Sequence, residues 1–227
     1  EKDPVARMNV LLESIQGVAK EYASRDHAKR LLEILALAKQ IPESKREPLE
    51  AASEKVCRVF SETYAGRIQT PEKIPKTELA QTIQALFGDH LRVFPASKKK
   101  VQLLGVWLDV CEIEHHAECI VSVSEALIAA TTVNSKDPHY KEDLASRAQA
   151  RERAFESRVA GLEMMQSGAH ASETLERFKS ALSERLSNPA AKNGALAGAK
   201  LAQIQVGQKQ FKEASNTLRA VLKRDPQ

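Results

Sequence analysis

The stretch Leu196–Pro226, LAGAKLAQIQVGQKQFKEASNTLRAVLKRDP, decides how this chain is read. Its apolar residues fall on two stripes at helical spacing. A first helix is expected over about 191–206, with Leu196, Leu201 and Ile204 apolar and alanines between them. Gly207 is suited to end it in a left-handed conformation. A second helix is expected from Phe211 to Arg224, with Phe211, Ala214, Leu218, Val221 and Leu222 on one stripe, stopped by Asp225-Pro226. Only about four residues join the two, so they must run antiparallel.

In its spacing this pair resembles a tetratricopeptide repeat, W-x2-L-G-x2-Y…A-x3-F…P. Leu201 stands at the leucine, Ala202 at the small glycine position, Ala214 at the close-contact alanine, Leu218 at the phenylalanine and Pro226 at the closing proline. Gly198 replaces the tryptophan and Gln205 the tyrosine. The resemblance is clear over about 196–226, within a repeat placed at about 191–226. Fainter stripes occur at Leu175, Phe178, Ala181 and Leu182, and at Ala28, Leu32 and Leu35 before Ile41-Pro42. It implies an all-α fold of stacked antiparallel helical hairpins, a tetratricopeptide-like solenoid, whose concave face holds a protein or peptide. The groove-facing positions it implies are Leu196, Ala199, Gln203 and Val206. Family members that clamp a terminal carboxylate use Lys and Asn on this face. Ala199 and Gln203 stand there instead, which points to a neutral, partly apolar ligand.

Composition agrees with a helical chain. Of 227 residues, 42% are hydrophobic but only 4% aromatic, so helices must pack largely through small and aliphatic side chains. The net charge is +4 and uneven. Pro189–Gln227 carries seven bases and two acids, a local +5, which leaves −1 for the rest. A basic end suits an acidic partner or nucleic acid, although a solvated helix face explains it as well. No run reaches the ~18–20 apolar residues of a membrane helix. The chain opens at Glu1 and ends just past the closing proline, as expected of a processed chain or a piece of a longer one. Cys57, Cys111 and Cys119 make no disulfide framework. On one continuous helix Cys111 and Cys119 would be about 12 Å apart, too far to bridge. A reducing, cytoplasmic compartment is favoured on that ground.

Helices are expected after Pro4 (Val10, Leu11, Ile15, Val18), from a cap at Asp26 through Ile41, and from Pro48 to Ile68. Others are expected from Thr77 to Phe87, through 101–133 with a break near His115-His116, and from Lys141 to Met165. Residues 69–75, QTPEKIP, read as a linker, 134–138 as a turn, and Gly88–Lys100 as a boundary. The expected organisation is an N-terminal helical region over 1–94 and a helical-hairpin region over 95–227.

Three groups are candidates for chemistry. Cys111, His115 and Cys119 share a helix face at spacings of four and are ligand types for zinc, though three residues over two turns converge poorly on one ion. Arg151, Glu152, Arg153, Glu156 and Arg158 offer charge pairs along one helix. Lys98-Lys99-Lys100 is a basic run without interleaved aromatics. No phosphate-binding loop, dinucleotide fingerprint or nucleophile elbow occurs. The expected function is therefore a non-catalytic protein-interaction module or scaffold without cofactor or metal. Self-association is a further expectation, and nucleic acid is disfavoured as a partner. The alternatives are a nucleic-acid-associated protein using the basic C-terminal hairpin, and a metal-dependent enzyme around Cys111, His115 and Cys119.

Overall fold

A computed structural model describes residues 3–18, 22–132, 144–167 and 171–225. Among them there are ten α-helices and no strand: α1 (Pro4–Val18), α2 (Arg25–Leu37), α3 (Glu47–Tyr64), α4 (Lys76–Val93), α5 (Lys100–Ile113), α6 (Ala117–Thr131), α7 (Leu144–Met164), α8 (Ala171–Ser187), α9 (Gly194–Gly207) and α10 (Phe211–Arg224). The all-α expectation holds, and no helix is long and apolar enough to cross a membrane. The chain divides into two compact units, Glu1–Val110 and Cys111–Gln227. The turn expected at 134–138 and the closing Pro226 lie outside the described residues.

In the first unit α1 packs on α2 and α3, and α4 packs on both α2 and α3. The core is built from Met8, Leu31, Ile34, Leu35, Phe60, Ile83, Leu86 and Phe87. Several details differ from expectation. The inner face of α1 carries Met8, Leu12 and Ile15, while Val10 is exposed. The cap of α2 is Ser24, whose Oγ accepts from the His27 N–H at 3.3 Å, with Asp26 in the first turn behind it. Gly88 does not stop α4, which runs on to Val93.

The second unit is sequential. α6 packs on α7, α7 on α8, α8 on α9, and α9 on α10. Its core is Val121, Leu162, Phe178, Ala181, Leu182, Ala197 and Leu201. Small residues set the crossings. A Cβ on Gly161 of α7 would lie 2.9 Å from Val121 Cγ2 and 3.0 Å from Ile120 Cγ2 of α6. A Cβ on Gly198 would collide with Val221 of α10 and come within 2.8 Å of Leu186 Cδ1 of α8. The position that lacks the repeat's tryptophan is thus the point where α9 meets both neighbours. Ala202 and Ala214 are buried, as the small positions of a hairpin crossing require.

The turn between α9 and α10 uses different chemistry from that expected. Gly207 stays helical, and Lys209 takes the left-handed conformation at φ 60°. The Gln210 N–H then returns to the Gln205 carbonyl at 2.8 Å.

Gly198→Ala should therefore destabilise the second unit by roughly 1–3 kcal/mol through overpacking, against the helix propensity it gains. Gly207→Ala, whose Cβ would meet nothing within 4 Å, should gain up to about 1 kcal/mol. Thermal melting of both variants checks the pair. If Gly198→Ala melts no lower than wild type, the close crossing is wrong.

Candidate functional site

On α9, the positions Leu196, Ala199, Gln203 and Val206 are all exposed, on the side opposite the buried Ala197, Gly198, Leu201 and Ala202. Leu196 is 69% exposed. On α10 only Ala214 and Thr217 are buried, and Thr217 Oγ1 donates to Gln205 Oε1 at 2.9 Å, so the glutamine at the tyrosine position ties the hairpin together. Leu218, expected on the inner stripe, is 46% exposed. With Phe211 (64%) and Leu222 (61%) it forms an outward apolar stripe at spacings of seven and four. At 100° per residue that stripe spans about 40° of the helix, and Lys212, Arg219 and Lys223 line one of its edges. All three are exposed and pair with no acid among the described residues.

Two other bases of this end are used internally. Lys200 Nζ pairs with Glu163 of α7 at 2.5 Å. Arg224 lies across the end of α8. Its Nη1 donates to the carbonyls of Leu186 at 2.9 Å and Asn188 at 2.7 Å, and its Nη2 to those of Pro189 and Ala191. The last carbonyls of a helix lack intrahelical partners and carry partial negative charge, which a planar guanidinium answers well. Gly194 leaves room for it, since a Cβ there would collide with the guanidinium.

The cysteine–histidine group is rearranged. Residues 114–116 break the helix, with His115 at φ 52°, and the chain turns from α5 into α6. Cys111 and Cys119 then stand 5.7 Å apart at Cα and are joined by a disulfide. The expectation that they were too distant failed because it assumed one continuous helix. Their sulfurs bind each other, so they do not serve with His115 as zinc thiolates. His116 is the N-cap of α6, its Nδ1 accepting from the Cys119 N–H at 3.2 Å.

The charged block of α7 pairs across helices. Arg153 meets Glu112 at 2.8 Å, Arg158 meets Glu184 at 2.5 Å, and the buried Arg185 of α8 meets Glu152 at 2.6 Å. The hydrogen bond from Arg185 holds the Glu152 carboxyl below its usual range. Arg151, Arg158 and Arg185 each place a guanidinium 5.2–5.8 Å from the Phe155 ring centre, a cation–π arrangement. The cleft of about 890 Å³ beside them is lined by charges of both signs, including Arg151, Glu152, Glu156 and Lys192. In the lysine run, Lys99 pairs with Glu54 at 2.7 Å and Lys100 donates to the Pro95 carbonyl at 3.2 Å.

Sequence reading missed a buried imidazole–hydroxyl contact in the first unit. His90 of α4 is 0% exposed, and its Nδ1 lies 2.9 Å from the hydroxyl oxygen of Ser53 of α3. Its Nε2 is buried without a hydrogen-bond partner. Burial pushes this imidazole down to about 4, so it is neutral at pH 7. Burial also pushes the Cys57 thiol up to about 12, which removes it as a nucleophile. Glu50, Ser53, Glu54 and Cys57 recur at helical spacing on α3, but nothing in the sequence ties them to His90.

Compared with known proteins, the chain matches no protein-family model, and no curated protein or solved structure shows significant similarity to it.

The cysteine arrangement predicts a thiol count. Unfolded in denaturant without reductant, the chain should show one titratable thiol, Cys57, and folded it should show none. Three thiols in the denatured chain would exclude the disulfide.

Proposed function

We propose that this chain is a non-catalytic interaction module whose terminal hairpin, α9 and α10, docks a helix of another protein. One observation carries the reading. This hairpin exposes Leu196, Val206, Phe211, Leu218 and Leu222, while Cys111 and Cys119 are joined to each other, Cys57 is buried and Arg185 is paired with Glu152. Apolar side chains gathered on one hairpin are an interaction signal in a way that scattered ones are not. The tetratricopeptide-like spacing of 191–226 and the sequential packing of α6 to α10 support a solenoid with a binding surface on α9 and α10.

The basic edge selects the partner. A helix with an apolar stripe and an acidic edge would bury Phe211, Leu218 and Leu222 and set its carboxylates against Lys212, Arg219 and Lys223. Two copies of this chain meeting stripe to stripe with α10 antiparallel about a two-fold axis would instead oppose those three bases to themselves. Charge thus favours a different protein over self-association. Nucleic acid fits less well, because the bases border an apolar stripe without aromatic platforms beyond Phe211.

The test uses two synthetic helical peptides with the same leucine stripe, one edged with glutamate and one with lysine. The acidic peptide should bind at least about tenfold tighter and weaken as salt rises. Leu218→Glu with Leu222→Glu should abolish binding while changing stability by about 0.5 kcal/mol or less per site, since both are exposed. Equal binding of the two peptides, or binding unaffected by the double variant, would overturn the reading. Sedimentation of the free chain as a dimer, lost in the double variant, would show self-association in its place.

A further inference from the structure

We propose that Glu50, Glu54 and His90 form a binding site for one divalent transition-metal ion of the zinc, cobalt or manganese class. One carboxylate oxygen from each glutamate and a ring nitrogen of His90 lie mutually within 4.8 Å. Glu50 and Glu54 are one turn apart on α3, so their side chains rise on the same face toward α4. The site stands independently of the docking surface, since all its residues belong to the first unit.

Three observations point to a cation here. First, His90 is fully buried, yet its Nε2 has no partner, and a buried polar atom in that state is uncommon without a missing ligand. Second, Ser53 holds the ring through Nδ1 at 2.9 Å, as an outer partner of a ligating histidine does. Third, a cation already sits on the cluster in this structure. Lys99 Nζ pairs with Glu54 Oε2 at 2.7 Å, while Ser97 donates to Glu54 Oε1 at 3.2 Å. Glu50 takes part in no ion pair among the described residues.

Ligand oxygens and nitrogens around such a metal stand about 3–3.5 Å apart, given bonds of about 2.0–2.2 Å. The three ligand atoms lie within 4.8 Å of one another, so small side-chain rotations bring them to that spacing. Two carboxylates and an imidazole suit borderline ions better than calcium or magnesium, which prefer all-oxygen sets. Lys99, with its side chain 56% exposed, swings away when the metal enters. It therefore acts as a competing internal cation, and that competition supplies the decisive test.

The full chain, stripped with a chelator, is titrated with Zn²⁺ by calorimetry and with Co²⁺ by its visible absorption. Saturation at one ion per chain is expected. Glu50→Gln should weaken binding at least about tenfold, and Lys99→Ala should tighten it several-fold. His90→Gln should also weaken it, and circular dichroism shows whether that variant folds. Glu50 and Lys99 are at the surface, so those two variants decide the matter if His90→Gln does not fold. Absence of saturable binding overturns the proposal. So does binding that neither Glu50→Gln nor Lys99→Ala changes, because the metal then sits elsewhere, for instance at His115 and His116.

Discussion

The close approach of helix backbones at small residues is the constraint on which the second unit depends. With aromatics at 4% of the chain, few side chains can bridge a wide gap between helices. Apolar area is removed from water only if the helices come near enough for short side chains to meet. Gly161 admits Val121 and Ile120 of α6, and Gly198 admits Val221 and Leu186 together. Ala181, Ala197, Ala202 and Ala214 complete the contacts, and the larger Phe178 fills the centre. At Gly198 an added methyl would press on α8 and α10 at once, so neither neighbour can give way alone.

Polar side chains hold what the thin apolar seams do not. Arg185 is buried against Glu152 with Phe155 beneath the guanidinium, which compensates a charge that would otherwise be costly to bury. Arg224 answers the carbonyls at the end of α8 and so binds the last turn of α10 to a helix two positions earlier in the chain. The disulfide fixes the reversal from α5 to α6. These groups have structural partners, whereas the outer stripes of α9 and α10 carry Leu196, Val206, Phe211, Leu218 and Leu222 exposed.

How much of this was legible in the sequence varied with the range of the interaction. Helices and their breaks were readable, since stripe spacing and the proline-rich 69–75 segment are local signals. The small residues Ala202 and Ala214 were also placed inside, because the repeat-like spacing encodes which face turns inward. Leu218 was misplaced. Phe211, Leu218 and Leu222 share a stripe with Ala214, but α9 packs along α10 and covers the Ala214–Thr217 side. Periodicity reports that a stripe exists and does not report how much of it a neighbour covers. The turn residue was missed for a different reason. Gly207 had the right chemistry for a left-handed position, yet the helix ran through it, and Lys209 took the strained conformation two residues later. The Cys111–Cys119 pair and the Ser53–His90 contact depend on how separate segments meet, which one sequence does not state.

Sequential packing also grades the stability of the second unit. In such a stack each helix is supported by its neighbours in order, so opening costs least where a helix has one neighbour. Among the described residues α10 is held by α9 along one side and by Arg224 at its last turn. A partner that covers Phe211, Leu218 and Leu222 adds support on its exposed side. Binding there and the ordering of the terminal hairpin are then one linked equilibrium, because a ligand that takes only the folded form stabilises it in proportion to its occupancy. Gly198 contributes to this coupling. It brings α9 against Leu186 of α8 and Val221 of α10, beside the contacts that Arg224 makes with the end of α8.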